Sequence, residues 1–162
     1  MKNEIKNIVV SILIIFTFSA ARSDNQTNEL LYITHVNKLK LTTVDSKCGE
    51  WGGDKRIVTI YRDSFKGQLL ADYVEETKDC NSDKKNKITK SIKRIKLNQQ
   101  DKSLIISCIN ELFANKLNRE DYPSHSGLLN QALLTDSSIN IQDFPAKKWE
   151  KFTLLITKLK AK

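Results

Sequence analysis

CGEWGGDKRIVTIYRDSFKGQLLADYVEETKDC, residues 48–80, is the stretch on which the fold turns. Arg56–Tyr61 (RIVTIY) is dense in β-branched residues, and Gln68–Glu75 (QLLADYVE) has the composition of a second strand. Arg62–Gly67 between them reads as a turn, with Gly67 as the residue able to take a positive φ. The midpoint of the two cysteines is Ser64, inside that turn. Cysteines equidistant from a hairpin tip meet at its open end, so the pattern predicts a Cys48–Cys80 disulfide. In the chain-entropy model a bridge over such a loop stabilises by roughly 3–4 kcal/mol. The loop before the hairpin, Asp45–Asp54, holds three of the five glycines together with Glu50 and Trp51. Glu50 and Trp51 are therefore candidate ligand contacts, because an indole joins a large apolar face to one polar handle. The competing reading packs Trp51 over the disulfide.

Working outward, Leu30–Val44 alternates in part and predicts a strand that carries His35. Ile88–Leu97 predicts another strand, because Asn98 and Asp101 resemble the capping box of a helix that starts there. That helix is expected to run to about Lys116. Leu104, Ile105, Cys108, Ile109, Leu112 and Phe113 repeat at helical spacing, which places Cys108 on the apolar face as an inert buried thiol. Leu128–Thr135 and Ser138–Phe144 predict a hairpin turning at Asp136-Ser137. A final helix is expected from about Pro145 to Lys160, with Pro145 in its first turn. Trp149, Phe152, Leu155, Ile156 and Leu159 form its apolar stripe. The predicted class is α+β: a mostly antiparallel, hairpin-rich sheet of about six strands with two helices on one face. Residues 30–162 form one domain.

The N-terminus carries a targeting pattern. Lys2 and Lys6 precede the apolar run Ile8–Phe18, and Ser19-Ala20-Ala21 provides small residues for cleavage before Arg22. This predicts a cleaved signal peptide at 1–21 and a flexible polar leader at 22–29. The apolar run falls short of the roughly 20 residues of a membrane-spanning helix. The expected location is periplasmic or extracellular, where disulfides persist.

The chain has a formal net charge of +8, which becomes +7 once Lys2, Lys6 and Glu4 are removed with residues 1–21. The densest cluster is Lys84, Lys85, Lys87, Lys90, Lys93, Arg94 and Lys96, with no acid in the stretch. These are candidate contacts to a polyanion or an anionic membrane surface. As a strand, the stretch would put Lys90, Arg94 and Lys96 on one face. Nucleic acid is not an expected partner, since the stretch has no aromatic residue to stack on bases. The bias of 22 Lys to 5 Arg also differs from the Arg-rich chemistry of phosphate recognition.

No phosphate loop, nucleophile elbow or metal signature occurs. With only His35 and His125 available, neither near a cysteine motif, no metal and no cofactor are expected. His125 lies between Ser124 and Ser126, yet a triad needs an orienting acid and an oxyanion pocket that nothing marks. Glu50, Glu75 and Glu76 could serve a glycosidase pair only at a suitable separation, and Glu75 and Glu76 point to opposite faces of a strand. The expectation is an exported noncatalytic domain that binds a protein or envelope partner. A cationic surface binder is the alternative, and a secreted hydrolase comes third. The segment CGEWGGDKRIVTIYR resembles a loose group of small exported bacterial proteins sharing a Cys-Gly-Glu-aromatic-Gly-Gly motif. That resemblance implies an α+β fold with one disulfide and carries over no catalytic residues.

Overall fold

The computed structural model describes residues 30–81, 86–120 and 123–162. The signal peptide and leader expected at 1–29, and Lys84 and Lys85, lie outside the described residues. Six strands are present: β1 Leu39–Val44, β2 Lys55–Arg62, β3 Leu69–Thr77, β4 Lys87–Lys96, β5 Leu128–Leu134 and β6 Asn140–Ala146. Helix α1 spans Gln99–Leu117 and helix α2 spans Glu150–Lys160. The strands form one sheet in the order β4-β3-β2-β1-β5-β6, with every neighbouring pair antiparallel. The expected α+β class is the one observed.

Register explains which face is buried. Leu41 lies opposite Val58 on one side and Ala132 on the other, and Val58 lies opposite Tyr73. These residues are fully buried, as are Leu39, Ile60 and Ala71 one step along the same face. Ile105, Cys108 and Leu112 of α1 and Phe152, Leu155 and Leu159 of α2 close over them in a single core. Each inward side chain of this size contributes roughly 1.5–3 kcal/mol through burial. The stripe expected on α2 is buried along its length, with Trp149 stacked on Phe152 at a centroid distance of 4.6 Å.

Asn98 caps α1 as its sequence implies. Its Oδ1 accepts from the Asp101 amide at 3.0 Å, and the Asp101 carboxylate accepts from the Asn98 amide at 2.8 Å. Asp101 is itself buried and ion-paired with Lys162.

Four local expectations are corrected. Leu30–Lys38 is not strand: β1 begins at Leu39, and the preceding residues form turns and bends. The Arg62 side chain explains this, because it donates to the carbonyls of Ile33 at 2.9 Å and Gly67 at 2.8 Å, binding the segment across the β2–β3 turn. His35 therefore sits exposed in a bend. Second, α2 starts at Glu150 rather than at Pro145, which belongs to β6 and follows a cis peptide bond. The pairing of Leu128 with Ala146 keeps the chain extended past Pro145. The free amides of α2 are capped from α1, where Glu111 accepts from Glu150 at 3.1 Å and Lys151 at 2.7 Å. Third, Lys90, Arg94 and Lys96 do not share a face. Lys90 pairs with Glu75, Lys96 with Leu70, and one register shift, between Ala71 and Tyr73, interrupts the alternation between them. Arg94 occupies the left-handed region at φ 58°, its amide held by Asp72 at 2.8 Å.

Fourth, Gly67 closes the β2–β3 turn without a positive φ; its role is space. A Cβ there would lie 1.8 Å from the Asp63 carboxylate.

Candidate functional site

The Asp45–Asp54 loop is built around two carboxylates. Asp45 Oδ1 accepts from the amides of Lys47 at 3.1 Å and Asp54 at 2.9 Å, drawing the two ends of the loop together. Asp54 Oδ1 accepts from the Lys78 amide at 3.0 Å and from Lys47 Nζ at 3.2 Å, which joins the loop to the strand that leads to Cys80. Lys47 Nζ also donates to the Lys78 carbonyl, and Lys78 Nζ donates to the Trp51 carbonyl. The Lys78 amide bond is the largest influence on Asp54; it and the Lys47 ammonium outweigh partial desolvation and hold this carboxyl below its usual range. Gly53 sits so close to Asp45 that a Cβ would fall 1.9 Å from Oδ1 and 2.8 Å from the Asp45 carbonyl.

The disulfide completes the frame. Cys48 and Cys80 are bridged, with Cα atoms 5.2 Å apart. Between Cys48 and Gly52 the chain makes a single 3-10 turn, Gly49–Trp51, closed by the Cys48 amide on the Gly52 carbonyl at 2.7 Å. This frame projects two side chains, Glu50 and Trp51, outward. Trp51 is 77% exposed, so it does not pack over the disulfide. The other tryptophan is its opposite: Trp149 is 2% exposed and donates its indole N–H to the Cys108 carbonyl at 2.9 Å.

Beside the turn lies a cleft of about 270 Å³ lined by Val44, Glu50, Trp51, Leu129, Gln142 and Phe144, among others. Val44 and Leu129 are register partners on the sheet face opposite the helices. The arrangement offers two aromatic rings, a carboxylate and an amide around an apolar floor. Such a set suits contact with a planar or partly apolar group rather than bond cleavage. The sequence marked Glu50 and Trp51. It did not mark Gln142, Phe144, Leu129 or Val44, which only strand pairing brings alongside them.

The other sequence candidates are dispersed. His125 is exposed in the loop before β5, and His35 is far along the chain in its own bend. Among the described residues no group of three His, Cys, Asp or Glu side chains is arranged to hold a metal ion. Cys108 is fully buried, and burial pushes its thiol up to about 12. Glu75 lies 3.6 Å from Arg56 and 3.2 Å from Lys160. Burial works to raise its carboxyl, but the Lys160 hydrogen bond and charge prevail and lower it. Lys87, Lys90, Lys93, Arg94 and Lys96 are all exposed on the edge strand β4. A second cleft, of about 230 Å³, is lined by Leu30, Ile33, Leu39, Ile109, Leu134 and Ile139 with Tyr32 and Ser138. No helix among the described residues is long and apolar enough to cross a membrane. No family model, curated protein or solved structure matches the chain.

Proposed function

We propose that the chain is an exported, noncatalytic binding domain that meets a protein or envelope partner through the disulfide-anchored turn Gly49–Trp51. Export rests on the basic, apolar and small-residue pattern of residues 1–21 and agrees with the Cys48–Cys80 bridge. The observation that carries the reading is the 77% exposure of Trp51 on a loop pinned by a disulfide and by the Asp45 and Asp54 hydrogen bonds. A rigid loop loses little conformational entropy on binding, and tryptophan is enriched among residues that dominate interface energies.

The test uses the mature protein, beginning at Arg22, as bait in an envelope fraction, beside Trp51→Ala and Glu50→Ala baits. A partner retained by the wild type and at least about tenfold depleted on Trp51→Ala is the expected result, since a hot-spot aromatic contributes about 2 kcal/mol or more. Equal retention by all three baits refutes the assignment.

The exposed cations of β4 favour a second reading, contact with an anionic membrane surface. Anionic vesicles in a salt series decide it. Binding that falls with salt and is abolished by Lys90→Glu, Lys93→Glu and Lys96→Glu together supports this reading, and binding indifferent to the reversal ends it.

A further inference from the structure

The two edges of the sheet are built differently. At one edge, β4 carries Lys87, Lys90, Lys93, Arg94 and Lys96 and is broken by two register shifts, both of which discourage another strand from pairing. At the other edge, β6 has the sequence NIQDFPA. Its one ionisable side chain, Asp143, is buried and paired with Arg119 at 2.8 Å. Among the described residues no segment pairs with the outer side of β6.

Backbone alternation identifies which groups that edge presents. The Leu134 amide donates to the Ile139 carbonyl at 2.9 Å, which makes Leu134 and Ile139 a hydrogen-bonded pair of the β5–β6 hairpin. In an antiparallel ladder Ile141 and Asp143 then point their backbone groups inward, and Asn140 and Gln142 point theirs outward. The Phe144 carbonyl is occupied by the Arg119 guanidinium, so the open portion of the edge is Asn140-Ile141-Gln142.

We propose that β6 pairs with β6 of a second copy of this chain, antiparallel about a two-fold axis at Ile141, joining the two sheets. The chemistry of the segment is self-complementary about that axis. Asn140 of each copy lies opposite Gln142 of the other, amide beside amide, and every outward N–H and C=O finds a partner. Ile141 lies opposite Ile141 on the helix-covered face. The flank of α1 on the same side carries two apolar residues, Ile109 and Phe113, between Lys102 and Lys116. Ile109 shares a cleft with Ile139, and Phe113, one turn on from Ile109, is 52% exposed; both lie away from the Glu111 side that caps α2. The two-fold carries each α1 flank toward its equivalent, covering Phe113. β4 cannot associate in this way, because its cations would face their own copies. An isologous contact of this kind closes at two subunits and leaves the charged β4 edges outermost.

Two variants and the wild type test the proposal by sedimentation equilibrium of the mature chain up to millimolar concentration. The wild type is expected to dimerise. Asn140→Pro removes an outward N–H from the first residue of an edge strand and leaves the β5 ladder intact; it is expected to weaken dimerisation about tenfold or more, with a melting temperature equal to wild type at dilutions where both are monomeric. Ile141→Cys supplies a second, independent readout. Directly opposed residues of a non-hydrogen-bonded pair have Cα atoms about 4.5 Å apart, within the range a disulfide spans, so incubation with oxidised glutathione should yield a covalent dimer. A wild type that stays monomeric at millimolar concentration overturns the proposal. So does a dimer that Asn140→Pro leaves intact and Ile141→Cys fails to cross-link, since that dimer is joined elsewhere.

Discussion

Replacing Cys48 and Cys80 together by alanine tests the frame that holds both the hairpin and the exposed turn. The bridge spans a sequence separation of 32 residues. The chain-entropy relation for a loop of that size gives an unfolded-state entropy loss worth about 4 kcal/mol at 25 °C. A domain of this length shifts its melting temperature by roughly 3–4 °C per kcal/mol, so the double variant should melt about 12–16 °C lower. The mechanism predicts more than the size of the shift. Because the cross-link keeps the unfolded chain compact, its removal should raise the urea m-value, while the β2–β3 register and the core persist. Differential scanning calorimetry and urea titration read both quantities. A melting temperature within about 3 °C of wild type with an unchanged m-value refutes the reasoning, because the bridge would then impose no constraint on the unfolded chain.

The two tryptophans should respond in opposite ways to truncation. Trp149→Ala empties a buried site and strands the Cys108 carbonyl, costing about 3–5 kcal/mol in urea denaturation, whereas Trp51→Ala should stay within about 0.5 kcal/mol. In native protein at pH 8 a thiol reagent should modify no cysteine, because Cys108 is buried and its thiol is pushed up to about 12. Denaturation should release one thiol, and reduction in denaturant should release all three cysteines. Asp54 lies below its ordinary 3.8 in the folded chain. Its contribution to stability is therefore full above that value and is lost as pH falls through the depressed one. Asp54→Asn should lower stability near neutrality and flatten the acid limb of a stability–pH profile, and an acid limb identical to wild type contradicts the assigned role.

How much was readable in advance depended on the range of the interaction responsible. The α1 cap was legible because Asn98 and Asp101 are three residues apart and satisfy each other's amides. The buried stripe of α2 was legible because helical period alone aligns Trp149, Phe152, Leu155, Ile156 and Leu159. The start of that helix was not, because its cap is Glu111, a side chain from another element. Leu30–Lys38 looked like strand by alternation, but the groups that set its conformation belong to Arg62. In β4 the residue types were right and the faces wrong, since the register shifts depend on how the strand meets β3.

By itself the amino-acid order determined the hairpin between Cys48 and Cys80, the two helices, the α+β class and the prominence of Glu50 and Trp51. Each follows from composition and spacing within a few turns of chain. Tertiary structure alone decided that Trp51 faces outward, that Gln142 and Phe144 stand beside the turn, and that β4 and β6 are the sheet's two edges. Those outcomes come from pairing β1 with β5 across almost ninety positions, and the free energy of such a contact depends on the whole packed assembly, which no local pattern encodes.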